Sequence, residues 1–146
     1  MKRRTIIFLV LLAVLFLFTT YIQKYKECEV KEVIDGDTFT TTDGRTVRLI
    51  GINAPELGDP YSYDAKDKLE DLIIGKKIRL ESDAGDKDVY GRILRYVYVD
   101  NLFVNREMVR LGLAVTEEIK PNIMYSSAFL EAENMARDAR RCVWST

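Results

Sequence analysis

An aspartate and an arginine held side by side on a hairpin can begin a site for a metal ion and a phosphate. This chain offers such a pair in Asp37 and Arg48. Asp43-Gly44 lies between two runs rich in Val, Thr, Ile and Leu, a strong signal for a two-residue hairpin loop. With that loop, Thr42 faces Arg45, Phe39 faces Arg48 and Asp37 faces Ile50. Asp37 and Arg48 then become diagonal neighbours on one side of the sheet. Taken alone, the pair reads better as a surface ion pair worth about 0–1 kcal/mol.

The chain contains no histidine. That excludes Ser-His-Asp and Cys-His catalysis and any His-ligated zinc or iron site, and two cysteines are too few for a four-thiolate zinc site. A general base near neutral pH must be a carboxylate, Lys, Tyr or Cys. A resident metal would be a hard cation held by oxygen, Ca²⁺ or Mg²⁺.

The elements that must position these groups are β-rich first and mixed later. Val30–Ile34, Thr38–Thr42 and Arg45–Ile52 read as strands. Ala65, Leu69, Leu72 and Ile73 recur at helical spacing and stop at Gly75. Lys77–Glu81 and Ile93–Val99 read as strands, and Asp100-Asn101 is a tight turn before Leu102–Val104. A short helix over Asn105–Leu111 ends at Gly112, and Leu113–Thr116 is extended. A last helix covers Ser126–Arg140, with Phe129, Ala132, Met135, Ala136 and Ala139 on its apolar side. An α+β fold follows, with a five-stranded OB-fold β-barrel and about three helices.

At 146 residues the chain has room for one domain and a short extra segment. Lys2, Arg3 and Arg4 precede an uncharged run from Thr5 to Gln23. Residues 1–27 read as an N-terminal membrane anchor or signal sequence with a short linker, and residues 28–146 as the working domain. The span over residues 6–22 predicts one transmembrane helix, because small residues that would permit cleavage are scarce between Thr19 and Cys28. The expected location is the cell membrane, single-pass, with the domain outside the cytoplasm, or secreted if the segment is cleaved. Cys28 and Cys142 stand near the two ends of that domain. A disulfide between them would contribute about 4.7 kcal/mol in the chain-entropy model; two unrelated thiols are the alternative. From residue 28 onward there are 17 basic and 22 acidic residues, net −5. That balance does not suit a tight non-specific binder of nucleic acid.

Three strings sharpen the case: Ile34-Asp35-Gly36-Asp37-Thr38, then Arg48 through Asn53-Ala54-Pro55-Glu56, then Tyr90-Gly91-Arg92. With Leu102-Phe103-Val104-Asn105, Leu111-Gly112-Leu113-Ala114 and Val143-Trp144-Ser145, the order and gaps resemble the staphylococcal nuclease family from about Val33 to Trp144. The resemblance implies a calcium-dependent endonuclease that hydrolyses DNA, RNA or both, leaving 3′-phosphates. It implies Asp37 as a calcium ligand, Glu56 as the general base that activates water, and Arg48 and Arg92 as the arginines that grip the phosphate. Tyr90 would contact the nucleotide, and the Ala54 carbonyl would serve as a further calcium ligand. No protein partner is implied.

The chain departs from the family pattern in two places. Asn53 stands where the family commonly has a second calcium-binding aspartate; its amide oxygen can coordinate Ca²⁺, without the charge that strengthens the site. Glu117-Glu118-Ile119 replaces the tyrosines that family members place before Lys120-Pro121. Both changes, with the acidic domain, favour the alternative of an inactive OB-fold module that binds nucleic acid or a protein. Retention of Arg48, Glu56 and Arg92 together opposes it.

Overall fold

Eleven consecutive residues of extended chain are enough for one strand to serve two neighbours, and the barrel is built on that fact. A computed structural model describes residues 2–145, with residues 2 and 20–26 described by their backbone alone. The order is α1 (Lys2–Lys24), β1 (Tyr25–Asp35), β2 (Thr38–Thr41), β3 (Thr46–Leu49), β4 (Ile52–Asn53) and α2 (Ser62–Ile73). There follow β5 (Lys77–Glu81), β6 (Ile93–Val99), β7 (Leu102–Phe103), α3 (Val104–Arg110), β8 (Val115–Thr116) and α4 (Ser126–Asp138). A 3₁₀ turn, Cys142–Trp144, comes last.

The first half of β1 pairs with β5, from Tyr25↔Glu81 to Glu29↔Lys77, and the second half pairs with β2, from Val30↔Thr41 to Asp35↔Thr38. Register shifts at Val30/Glu32 and Val33/Asp35 bend it between the two partners. β2 pairs with β3, β5 with β6, and the parallel pairing of β3 with β6 closes the ring. Five strands thus form a closed barrel of OB type, within an α+β fold. Val33, Phe39, Val47, Leu49, Ile78, Leu80 and Val97 fill it. Ala65, Leu69 and Ile73 of α2, Val104 and Met108 of α3, and Phe129, Ala132 and Ala136 of α4 extend the same core. Met135, expected on the apolar side of α4, is exposed.

The hairpin differs from expectation by one residue. Thr38 lies opposite Arg48 and Phe39 opposite Val47. Thr41 N–H donates to the Arg45 carbonyl at 2.9 Å, so Thr42-Asp43-Gly44 forms a three-residue loop with Gly44 at φ 85°. Glycine takes the left-handed position that such a loop requires, and Asp-Gly serves this geometry as well as the two-residue one.

Among the described residues there are four α-helices, three within the domain and α1 before it. The transmembrane helix, the membrane contact and the single-pass membrane location expected from residues 6–22 are not supported. Among the described residues, no helix is long and apolar enough to cross a membrane. The unbroken apolar run from Ile6 to Phe18 would extend only about 20 Å at 1.5 Å per residue, against a hydrocarbon core of about 30 Å. Residues 20–22, the end of the expected span, are among those whose side chains lie outside the description.

The expected disulfide is not formed either. Cys28 sits on β1 opposite Ile78, near Arg45, whereas Cys142 sits in the last turn near Asp64 of α2. Burial, helped by Asp64, pushes the Cys142 thiol above its usual pKa.

One buried polar side chain ties α3 to the barrel. Asn105 is fully buried; its Oδ1 accepts from Val97 N–H at 2.8 Å, and its Nδ2 donates to the Ile50 carbonyl at 2.9 Å and to that of Arg95 at 3.3 Å. Asn105→Ala would take this partner from Val97 N–H and the Ile50 carbonyl, while the Arg95 carbonyl keeps Ile50 N–H, and we expect a loss of about 2–4 kcal/mol of stability. Urea unfolding monitored by circular dichroism measures it. A loss within 0.5 kcal/mol of zero, roughly the scale of an ordinary surface substitution, would contradict this role.

Candidate functional site

Gly36 decides where Asp37 goes. A Cβ on Gly36 would stand 2.6 Å from the Cβ atoms of both Ala54 and Ala65, so only glycine lets the turn after β1 sit against α2 and the chain beyond β4. Asp35 Oδ1 accepts from Asp37 N–H at 3.0 Å and holds the turn from the other side. Asp37 therefore leaves the strand pleat just before β2 begins. This is how it reaches Arg48 although the observed register sets Thr38, not Phe39, opposite that arginine.

Asp37 is 5% exposed. Its Oδ2 accepts from Ala54 N–H at 2.7 Å, and its Oδ1 accepts from the Thr38 hydroxyl at 2.9 Å and lies 3.2 Å from Arg48 Nε. Burial is the largest influence on this carboxyl and pushes its pKa up to about 6; Arg48, Ala54 N–H and Thr38 oppose the rise, and Asp35 adds to it. The carboxylate is thus short of positive charge even with an arginine beside it. A raised folded-state pKa means that its contribution to folding is full below the unfolded value of 3.8 and is lost as pH rises through 6. A bound cation would restore what is lost.

Arg48 links the Asp37 carboxylate to further oxygens, the Asn53 amide oxygen and the carbonyls of Leu49 and Ile52, all of them hard donors. Among the described residues no group of three or more His, Cys, Asp or Glu side chains could hold a metal. One carboxylate and neutral oxygens are the donor types that a hard divalent cation takes. Ala54 meets Asp37 with its N–H rather than its carbonyl.

Arg48 is 9% exposed, and every nitrogen of its guanidinium faces an oxygen. Nε faces Asp37, Nη1 donates to the carbonyls of Leu49 and Ile52 at 2.8 Å each, and Nη2 donates to Asn53 Oδ1 at 3.0 Å. The last partner is Glu117 Oε2 at 3.4 Å, the longest of the set. Arg92 is different. Its Nε pairs with Asp88 Oδ2 at 2.6 Å, while among the described residues no acceptor is bonded to its Nη1 or Nη2. Asp88 Oδ1 accepts the backbone N–H groups of Tyr90 and Arg92, which makes that loop a rigid mount for the arginine, and its carboxyl pKa lies below the usual range because these donors outweigh burial.

Arg48, Tyr90 and Arg92 line one cavity of about 540 Å³ together with Lys87, Glu117 and Lys120. The Tyr90 ring is 82% exposed, with Arg92 Cζ 5.4 Å from its centroid. The structure thus joins the expected residues into two groups that share Arg48: Asp37, Asn53 and Ala54 on one side, Tyr90 and Arg92 on the other. Glu56 stands outside both. It is exposed on a turn after β4, where its carbonyl accepts Asp59 N–H at 2.9 Å. Glu117 was not foreseen as a partner of Arg48. The only signal for it in the sequence is an acidic pair where aromatic residues are usual.

We expect Asp37 to titrate near pH 6 in the metal-free protein. Carboxyl ¹³C chemical shifts followed by NMR from pH 3 to 8 measure this. A midpoint below 4 would contradict the charge deficit at this carboxylate.

Comparison with known proteins gives the family. The sequence profile of the family described as Staphylococcal nuclease homologue matches residues 46–146. The chain is 34% identical over 132 residues to Thermonuclease of Staphylococcus hyicus, covering 84% of this chain and 76% of that protein. It is 37% identical over 123 residues to SPbeta prophage-derived endonuclease YokF of Bacillus subtilis (strain 168), covering 77% of this chain and 42% of YokF. With Endonuclease YncB of the same strain it shares 34% over 134 residues, 84% of this chain and 64% of YncB. On the profile match and these identities, the chain belongs to the staphylococcal nuclease family.

Proposed function

We propose that the chain is an endonuclease that hydrolyses phosphodiester bonds of DNA or RNA and uses Ca²⁺. The observation that carries this reading is the pairing of two arginines on one cavity, with the buried, charge-deficient Asp37 behind one of them. The names of its relatives, thermonuclease and endonuclease, support the same reaction.

Arg92 binds the substrate phosphate through its open Nη1 and Nη2, and its planar fork suits two phosphoryl oxygens at once. Arg48 adds positive charge on the opposite wall, where charge accumulates as phosphorus becomes five-coordinate. Asp37 and the carbonyls of Leu49 and Ile52 fix the plane of that guanidinium, so little reorganisation is needed during reaction. Tyr90 offers a face for a base. Glu56 accepts the proton of the attacking water as general base. Ca²⁺ would be held by Asp37 with Asn53 and a backbone carbonyl at Ala54, and it supplies charge neutralisation and a more acidic bound water.

A second reading, a module that binds without cutting, draws on one observation. Glu117 already occupies the Nη2 of Arg48 that a phosphate would use. At 3.4 Å, and with its side chain 42% exposed, that contact is the weakest around the arginine and the first that a phosphate displaces.

Both readings are separated by digesting fluorescent single-stranded DNA with the full chain in millimolar Ca²⁺ or in chelator. Cleavage should require the metal, and Glu56→Gln should lower kcat by about 10²–10⁴-fold. Arg48→Ala should lower kcat/KM, whereas Glu117→Gln should lower KM with kcat little changed. Folded protein that cuts nothing in Ca²⁺, Mg²⁺ or Mn²⁺ would establish the binding module instead.

A further inference from the structure

A second cavity, of about 520 Å³, adjoins the one just described. Lys87, Tyr90 and Arg92 line both, so the two cavities are neighbours along one face. The new portion adds Arg45, Arg95 and Asp86. Topology explains the gathering. The parallel pairing of β3 with β6 aligns Val47 with Ile93 and Leu49 with Arg95, which brings Arg45, two residues before Val47, beside the loop that carries Arg92.

The domain is acidic overall, yet four cations and a single carboxylate line this cavity. Their partners leave donors unspent. Arg45 Nε donates to both oxygens of Asp43 at 2.9 Å. Its Nη2 lies 2.7 Å from Asp43 Oδ2, yet it is buried without a well-directed hydrogen bond. The ion pair with Asp43 holds the Arg45 guanidinium at the wall of the cavity. Arg95 is held by the carbonyls of Leu94 and Asp86 and by Asp86 Oδ1 at 2.7 Å, and the Asp86 side chain is 62% exposed. Water screens such an exposed partner, so the positive charge of Arg95 is only partly offset. Arg92, with no acceptor bonded to its Nη1 or Nη2 among the described residues, and the exposed Tyr90 line both cavities.

We propose that Arg45, Lys87 and Arg95 form a second phosphate subsite, which grips the phosphodiester next to the one held between Arg48 and Arg92. This inference rests on the nuclease reading and gives it a substrate class: a strand of several nucleotides rather than a mononucleotide or dinucleotide. Three cations placed in one cavity recover, locally, the phosphate affinity that the net charge of the domain denies. The cavity selects for strand length, not for base sequence, because phosphate contacts position a strand without reading it.

The test is fluorescence anisotropy of the full chain, in chelator, with fluorescein-labelled thymidine dinucleotide and hexanucleotide at several salt concentrations. Wild type should bind the hexanucleotide more tightly. Arg45→Ala/Arg95→Ala should weaken the hexanucleotide about tenfold and lower the salt slope by about 1.4, with dinucleotide binding unchanged. Arg45→Lys/Arg95→Lys should restore most of the slope, which separates lost charge from lost fold. Equal weakening at both lengths, or a double alanine variant with wild-type affinity and slope for the hexanucleotide, would overturn the subsite while leaving cleavage by the wild type intact. Wild type that neither cleaves nor binds either length would overturn the nuclease reading itself.

Discussion

The buried carboxylate of Asp37 joins three separate pieces of chain. The turn after β1 supplies it, Ala54 beyond β4 donates to one of its oxygens, and Thr38 and Arg48 of the β2–β3 hairpin approach the other. Few arrangements satisfy these contacts at once, so the position of Arg48 and the path of the chain toward Glu56 follow from it. Burial of a carboxylate is costly unless opposing charge is supplied. Here one arginine supplies part of it and leaves the carboxyl pKa raised, a state that favours a cation. On the proposed reading, the structural knot and the metal ligand are the same group.

The two arginines divide their work accordingly. Arg48 is almost fully occupied by protein oxygens and acts as a fixed positive wall, whereas Arg92 is anchored by one nitrogen and open at the other two. A site with one prepaid charge and one free fork can bind a phosphate without rearranging both sides. Glu117 weakens the fixed side, and the acidic domain weakens attraction at a distance. On the proposed reading, strand binding comes from the cavity beside Arg92, where parallel pairing of β3 and β6 collects cations that lie far apart in sequence.

Much of the fold was legible in the chain itself. The strands Lys77–Glu81 and Ile93–Val99 appear with the boundaries that their Val, Ile and Leu content predicts, and the buried face of α2 follows its helical spacing. The hairpin register was not legible, because Asp-Gly suits loops of two and of three residues alike. Asp37 and Arg48 meet all the same, because Gly36 takes Asp37 out of the strand. The apolar N-terminal run reads as a span by hydropathy, yet among the described residues no helix is long and apolar enough to cross a membrane. Contacts that depend on barrel closure, Glu117 with Arg48 and Arg45 beside Arg92, leave no local trace, since nothing within a few residues of either partner encodes them.

The central claim is that Asp37, a single carboxylate aided by neutral oxygens, holds the cation. Calorimetric titration of Ca²⁺ into the full chain and into Asp37→Asn, both shown to be folded by circular dichroism, tests it most directly. The account predicts one site in the wild type and no measurable binding in the variant. Wild-type affinity retained in Asp37→Asn would contradict it.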